Sequence, residues 1–226
     1  DQLLIQQSPR LAGVISDYER ALKQRNSLLK SRAPESSLRS WSEHLATFGG
    51  ELIAGRIKLI NEIEPLFQIA YKNLSAKKLA KLGYKSSIPA PSSEKEVNKE
   101  VMLKVIEEVK SQEIERGISL VGPHRDDLIL NLGDHPVKGY ASHGESWSIA
   151  LALRLASYQL FINEGAKPIL ILDDVFSELD EGRREKLLEI ADSAEQTFIT
   201  VAVENDLPKA IQGARFKVEL GKVVTL

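Results

Sequence analysis

The spacing of apolar residues changes at Arg116-Gly117, and this change favours a fold that joins long helices to a small sheet. Before it, apolar residues recur every three or four positions among Lys, Arg, Glu and Gln, the pattern of amphipathic helices. After it, short apolar runs are separated by Gly, Pro and Asp, the pattern of strands and turns. We therefore predict a helical lobe over residues 1–115 and an α/β lobe over residues 116–226.

The helical lobe is predicted to contain long helices. One covers residues 10–30, and a turn-rich break at residues 31–37 separates it from a longer apolar stripe that runs from residue 41 to the neighbourhood of Pro65. Another covers residues 94–114. Two long amphipathic helices joined by a short break most simply pack antiparallel.

The second lobe has the pattern of an α/β fold. The predicted helices cover residues 144–161 and 180–191, and the predicted strands cover residues 118–121, 127–132, 137–140, 168–172 and 197–203. The runs at 168–172 and 197–203 are apolar at most positions. Strands without alternation are typically buried on both faces, as in a parallel sheet.

Composition excludes several classes of protein. The chain has no Cys, which rules out disulfides, thiolate zinc sites and a cysteine nucleophile and fits a cytoplasmic location. No apolar run approaches the roughly 18 residues of a membrane span.

The charge is distributed unevenly along the chain. The formal net charge is −2, yet the first half has a basic excess and the second an acidic one. A basic half can attract a nucleic-acid backbone, although basic residues on long helices commonly form a solvated face.

Two adjacent carboxylates, Asp173 and Asp174, follow the apolar run at 169–172. A central strand of an open α/β sheet delivers its last residues to the crevice where ligands bind. In nucleoside-triphosphate enzymes the first such acid holds Mg²⁺, and the next can orient the attacking water. The alternative is a strand that ends in a structural Asx turn.

Further candidate residues flank this pair. The string SHGE at residues 142–145 places a Ser and a Gly at a predicted helix start, where free backbone N–H groups form a natural anion site. The alternative is a helix cap with no ligand. Asp180 follows the acid pair at the spacing of the D-loop of ATP-binding-cassette heads.

Together with GPHRDDL at residues 122–128, DDVFSELD at 173–180 and Arg183-Arg184, these strings resemble the RecF family, bacterial recombination-mediator ATPases related to SMC heads. The resemblance spans nearly the whole chain. It implies a helical arm lobe followed by the carboxyl-terminal half of an ABC/SMC-type ATPase head. The alternatives are a head fragment of another SMC-like or ABC-type ATPase and a non-catalytic helical interaction module.

The resemblance also implies roles for individual residues. Asp173 is the expected metal ligand, Asp174 and Asp180 are the expected catalytic residues, and Ser142, Gly144 and Glu145 are expected to contact a nucleotide bound by the other protomer. The implied cofactors are ATP and Mg²⁺. The implied partners are a second copy in an ATP-dependent homodimer, DNA at single-strand/double-strand junctions, RecR/RecO-type mediators and the recombinase. DNA-binding residues stay unassigned.

The chain departs from the family pattern in informative ways. His143 and Ser146 stand where Gln is more usual, and Glu204-Asn205-Asp206 stands where a switch His is expected. No G-x-x-x-x-G-K-[ST] string is present. The nearest, GELIAGRI at residues 50–57, lacks the Lys and the hydroxyl and lies in a helical stripe. The resemblance implies that the phosphate-binding loop lies in a lobe upstream of Asp1, and we expect no meaningful ATPase activity from these residues alone.

Overall fold

The computed structural model describes residues 1–75, 78–177, 179–203, 207 and 211–225. Within these residues the helices are α1 (Gln2–Gln7), α2 (Arg10–Lys30), α3 (Glu35–Leu74), α4 (Lys95–Glu108), α5 (Lys110–Arg116), α6 (His143–Asn163) and α7 (Glu181–Ser193). The strands are β1 (Ala80–Lys85), β2 (Asp127–Leu132), β3 (His135–Pro136), β4 (Leu170–Asp173), β5 (Thr197–Thr200), β6 (Phe216–Glu219) and β7 (Lys222–Thr225).

Helices α2 and α3 form an antiparallel pair, as predicted. Arg10 near the start of α2 pairs with Glu51, whereas Arg25 near its end donates from Nε to Ser42 Oγ at 2.9 Å. The predicted bounds of α2 are confirmed. Helix α3 continues past Pro65 to Leu74, so the expected end near the proline is wrong. Proline removes one backbone donor, and burial of the apolar side chains on both sides of it offsets that loss.

The third predicted helix is divided. Helix α4 ends at Glu108 and α5 begins at Lys110, because Val109 leaves helical geometry with φ −96° and ψ 5°. Helix α4 packs on α3 at close range. A Cβ placed on Gly50 would lie 2.7 Å from the backbone oxygen of Lys95, so this contact requires glycine.

The predicted strand at 118–121 is wrong, since side chains satisfy its backbone groups. The Ser119 N–H donates to Asn26 Oδ1 at 2.7 Å, and the Leu120 N–H donates to Glu113 Oε1 at 2.6 Å. The Ser119 carbonyl accepts from the Arg125 guanidinium at 2.9 Å. An extended segment whose polar groups are paired in this way needs no neighbouring strand.

The strand β2 is confirmed at its predicted bounds, and it pairs antiparallel with β1 and with β3. The strand expected at 137–140 is wrong, because β3 covers His135–Pro136 and the chain then turns. Val137 still donates to the Leu130 carbonyl at 2.8 Å, which ends the pairing. Strands β6 and β7 form an exposed hairpin.

Strands β4 and β5 pair in parallel, with Leu170 opposite Thr197 and Asp173 opposite Thr200. Burial alternates along β4, where Leu172 is 3% exposed and Ile171 is 67% exposed. The expectation of burial on both faces is therefore wrong for the described residues, since one face packs on the core and no described residue covers the other. Strand β5 also ends at Thr200 rather than at residue 203.

Helix α3 contributes to separate apolar clusters along its length. Its first part packs with α2 and α4, and its last part, from Ile63 to Leu74, packs with α6, α7 and β4. A smaller cluster joins α1 to α2 and α3. The boundary between residues 115 and 116 stays a prediction. Among the described residues, no helix is both long and apolar enough to cross a bilayer.

Candidate nucleotide site

The two acids lie at the carboxyl end of β4, and both are exposed. Thr200, opposite Asp173 in the register, donates its hydroxyl to Asp173 Oδ1. The Asp174 N–H lies 3.1 Å from the Thr200 carbonyl oxygen and 3.2 Å from its Oγ1. One threonine therefore contacts both acids and holds them at the end of the parallel pair.

Asp174 has a left-handed backbone conformation, with φ 51°. Asp tolerates this region better than most residues, yet it still costs about 1 kcal/mol and persists where surroundings hold it. Ser177 Oγ donates to the Asp174 carbonyl at 2.9 Å, and the Ala202 N–H donates to Asp174 Oδ1 at 3.4 Å. Phe176, fully buried, anchors the same turn. The backbone of Asp174 is thus held by the turn and by Thr200, while its carboxylate accepts one long hydrogen bond from Ala202.

The chemistry of this site fits a magnesium ion bound together with phosphate. Mg²⁺ commonly takes one or two carboxylates and fills its remaining positions with phosphate oxygens and water. The part of the chain that the structure describes holds no group of three or more His, Asp or Glu side chains suited to a metal. The Asp173 carboxylate is of the kind that Mg²⁺ takes, and phosphate oxygens and water would fill the remaining positions.

The predicted helix start at Ser142 is confirmed. Ser142 is the N-cap of α6 and forms a capping box with Glu145. Its Oγ accepts from the Glu145 N–H at 3.3 Å, and its own N–H donates to Glu145 Oε2 at 2.9 Å. Ser142 and Gly144 are exposed, and the first N–H groups of a helix have no acceptor inside it. This end of α6 can therefore donate to an anion.

A lysine stands beside this capping box. Lys78 Nζ lies 2.8 Å from Glu145 Oε1. The hydrogen bond from Lys78, together with those from Ser142, lowers the pKa of Glu145 to about 2. Glu145 is consequently ionised under ordinary conditions, and Lys78 balances a negative charge close to the candidate anion site.

Asp180 is the N-cap of α7. Its Oδ1 accepts from the Arg183 N–H at 3.0 Å, and Arg183 Nε lies 3.4 Å from Asp180 Oδ2. The same Nε donates to the carbonyl of Leu74, the last residue of α3, at 3.0 Å. The side chain of Asp180 is thus exposed but held by its own helix.

The GPHRDDL string forms a joint between elements rather than a cluster of ligands. The Tyr18 hydroxyl lies 2.6 Å from His124 Nδ1, and Asp126 accepts from the Tyr84 hydroxyl at 2.5 Å. Gly122 has φ 128°, and a Cβ there would lie 2.3 Å from Tyr18 Oη. These contacts connect α2 and β1 to the start of β2.

The structure unites some of the predicted site residues and separates others. Asp173 and Asp174 share Thr200, whereas no hydrogen bond or ion pair among the described residues joins Ser142 to either acid. The string GELIAGRI lies inside α3, as expected. Glu204-Asn205-Asp206 lies outside the described residues.

Sequence reasoning missed Thr200 and Lys78 as neighbours of the site, and it named Arg183 only as part of the family resemblance, with no role. Thr200 lies within the strand predicted over residues 197–203, so its place beside the acids could have been inferred from a parallel register with the strand that carries them. The contact of Lys78 with Glu145 and that of Arg183 with Leu74 had no comparable signal, because each joins distant parts of the chain.

Comparison with solved structures shows which fold this chain shares with known proteins. The recombination mediator protein RecF with ATPrS superposes with a TM-score of 0.81 at 24% identity, covering 97% of this chain and 59% of that one. RecF with ATP gives a TM-score of 0.80 at 24% identity with the same coverage. Together with the order of the motifs, this likeness identifies the fold as a helical arm with part of an α/β ATPase head.

Sequence comparison finds relatives that match nearly the whole of this chain. The chain is 49% identical over 235 residues to the DNA replication and repair protein RecF of Streptomyces avermitilis, covering 99% of this chain and 63% of that protein. It is 46% identical over 258 residues to RecF of Beutenbergia cavernae, covering 99% of this chain and 65% of that protein. No family model matches. The chain is thus similar to RecF proteins over nearly its whole length, and it spans less than two thirds of the length of these relatives.

Proposed function

We propose that these residues form the arm and carboxyl-terminal head portion of a protein that binds DNA in an ATP-dependent manner and helps to load a recombinase at single-strand gaps. RecR/RecO-type mediators and DNA junctions are its proposed partners, and the cytoplasm is its proposed location. The relatives named RecF support the role in replication and repair, and the solved RecF complex with ATP supports the nucleotide.

One observation carries the proposal: Asp173 and Asp174 are exposed together at the carboxyl end of a parallel strand and share the hydroxyl of Thr200. A structural Asx turn does not require an exposed pair held by a neighbouring strand. This arrangement supports a site at which one carboxylate meets a metal ion and the next meets water.

The residues of this chain would act in distinct ways at such a site. A bound Mg²⁺ would neutralise phosphate charge, and Asp173 would hold it. Asp174 would orient the attacking water. The N-terminus of α6, with Ser142 and Gly144, would donate to the γ-phosphate of ATP bound by a second protomer, and Asp180 would align water across that interface. ATP would then hold an ATP-dependent homodimer together.

The test uses the full-length gene product. Replacing Asp174 by Asn should slow ATP turnover by at least about 100-fold and trap an ATP-bound dimer, because water is no longer oriented while the nucleotide still binds. Light scattering with and without ATP measures the dimer, and phosphate release measures turnover. Asp192→Asn, an exposed acid on α7, is the matched control.

A further variant separates the enzyme from a helical interaction module. Ser142→Arg should prevent the ATP-dependent dimer, because a bulky side chain replaces the donor end of α6. If Asp174→Asn and Ser142→Arg both leave turnover and dimerisation at the level of Asp192→Asn, the acid pair is a structural turn and the proposed function is wrong.

A further inference from the structure

The carboxyl end of the long helix α3 lies beside both helix N-termini that carry the candidate trans-acting residues. Leu74 is the last residue of α3, and Lys78 lies four positions further along the chain. Helix α6 begins at His143 and α7 begins at Glu181, far away along the chain. Contacts at this end of α3 are therefore tertiary contacts.

Arg183 links α3 to α7. Its Nε donates to the Leu74 carbonyl at 3.0 Å and lies 3.4 Å from Asp180 Oδ2, and its side chain is 23% exposed. The last carbonyls of a helix have no partner inside it, so a charged donor is well placed there. The guanidinium thus connects the end of α3 to the cap of α7.

Lys78 links the segment after α3 to α6. Its Nζ lies 2.8 Å from Glu145 Oε1, while Glu145 Oε2 accepts from the Ser142 N–H at 2.9 Å. One carboxylate therefore bridges the lysine to the cap of α6. Lys78 also places a positive charge beside a carboxylate that would otherwise oppose an anion at this helix end.

We propose that Lys78 and Arg183 are positioning residues, which set the N-termini of α6 and α7 relative to each other through the carboxyl end of α3. They act on Ser142 and Asp180, not on the nucleotide. This inference rests on the proposed function and adds to it the elements that hold the trans-acting residues in place.

The physical reason is geometric. Ser142 and Asp180 lie on different helices, yet both are proposed to meet one nucleotide held by the second protomer. A displacement of about 1 Å in such a group can cost about 100-fold in rate. A shared anchor at the end of α3 restricts the relative movement of the two helix ends.

The experiment measures ATP-dependent dimerisation of the full-length gene product. Lys78→Met should raise the protein concentration at half-dimerisation about fivefold, and Arg183→Met about tenfold, the usual range for loss of one exposed and one partly buried charged contact. Lys78→Arg keeps the charge and should restore dimerisation. Lys81→Met and Lys186→Met, exposed lysines nearby, are the matched controls.

If Lys78 and Arg183 are positioning residues, their variants should weaken dimerisation without weakening the binding of ATP. ATP affinity, measured below the dimerisation concentration, should stay at the level of the controls. Because Lys78 is exposed, its Met and Arg variants test the positioning role even if Arg183→Met folds poorly.

The outcomes distinguish this inference from the proposed function. If Ser142→Arg abolishes the dimer while Lys78→Met and a folded Arg183→Met behave like their controls, the positioning role is wrong and the proposed function stands. If Ser142→Arg leaves the dimer intact, the proposed function fails and this inference fails with it. If Lys78→Met and Lys78→Arg weaken dimerisation equally, the charge of Lys78 is not what positions α6, and the inference is also wrong.

Discussion

The hydroxyl of Thr200 contacts both candidate acids. It donates to Asp173 Oδ1, and its oxygen also lies within reach of the Asp174 N–H. Burial does not explain this contact, since both acids are exposed. At the scale of the residue, the arrangement of the acids depends on a side chain from the neighbouring strand.

Thr200→Val should therefore weaken catalysis without disrupting the sheet. Valine keeps the β-branched shape but removes the hydroxyl, and a hydrogen bond to a charged group is worth about 1.5–3 kcal/mol, so we expect turnover by the full-length gene product to fall at least about tenfold. Thr200→Ser restores the hydroxyl and should recover most of the rate. Equal activity of the Val and Thr proteins in a phosphate-release assay would contradict this role.

Glu145 should titrate far below an ordinary carboxyl group. Its pKa is lowered to about 2 by hydrogen bonds from Lys78 and from Ser142. Since the folded pKa lies below the unfolded value, the stabilisation is complete above the ordinary pKa of 4.5 and is lost as the pH falls toward 2.

Carbon-detected NMR of the Glu145 carboxylate should give a midpoint near pH 2, and Lys78→Met should shift it upward. A midpoint that does not respond to Lys78→Met would show that the ion pair is not formed in solution.

At the scale of the element, the contact between α3 and α4 is set by backbone proximity. A Cβ on Gly50 would approach Lys95 O to 2.7 Å and Lys99 N to 2.8 Å. These are backbone atoms, so no side-chain rotation relieves the clash. Asn98 on α4, fully buried, donates to the Gly50 carbonyl at 3.2 Å and fixes the same contact.

Gly50→Ala should lower the free energy of unfolding by about 2–4 kcal/mol, because the helices must separate to admit a methyl group. Gly13→Ala is the control: Gly13 lies on α2 with open space around its Cβ position, and alanine there should stabilise by about 0.5–1 kcal/mol. Urea denaturation followed by circular dichroism gives both values. A Gly50→Ala protein as stable as Gly13→Ala would show that α4 does not pack this closely.

At the scale of the whole molecule, α3 is the structural axis of the described chain. It is 40 residues long, and it contributes to the cluster with α2 and α4 and to the cluster with α6 and α7. A continuous helix that is buried in both clusters connects their stabilities. The fully buried Arg25–Glu113 ion pair joins α2 to α5.

The two clusters should consequently unfold in one transition. Trp41 packs against the first cluster and Trp147 against the second, so each tryptophan reports on one of them. Trp147→Phe leaves the first reporter, and Trp41→Phe leaves the second. Their fluorescence midpoints in urea, each compared with the circular dichroism midpoint of the same variant, should coincide. Midpoints that separate would show that α3 unfolds in parts.

Local sequence patterns predicted several helix and strand bounds correctly, but they did not predict which distant residues these segments contact. The bounds of α2 and β2 and the start of α6 follow from apolar period and capping chemistry. The false strand at 118–121 had a strand-like composition, but Asn26 and Glu113 from distant helices supplied its hydrogen bonds. Pro65 failed to end α3 because the packing of its flanking turns outweighs one missing donor.

The sequence alone shows the order of the motifs along the chain. It also shows that two acids follow an apolar strand, because periodicity, helix caps and adjacent charges act over a few residues. That is why Asp173, Asp174, Ser142 and Asp180 could be named as candidates in advance. Tertiary structure alone decided that Thr200 contacts both acids, that Lys78 lies at the cap of α6, and that Arg183 reaches the end of α3. Those contacts join residues from distant parts of the chain, and their geometry depends on how whole helices and strands pack.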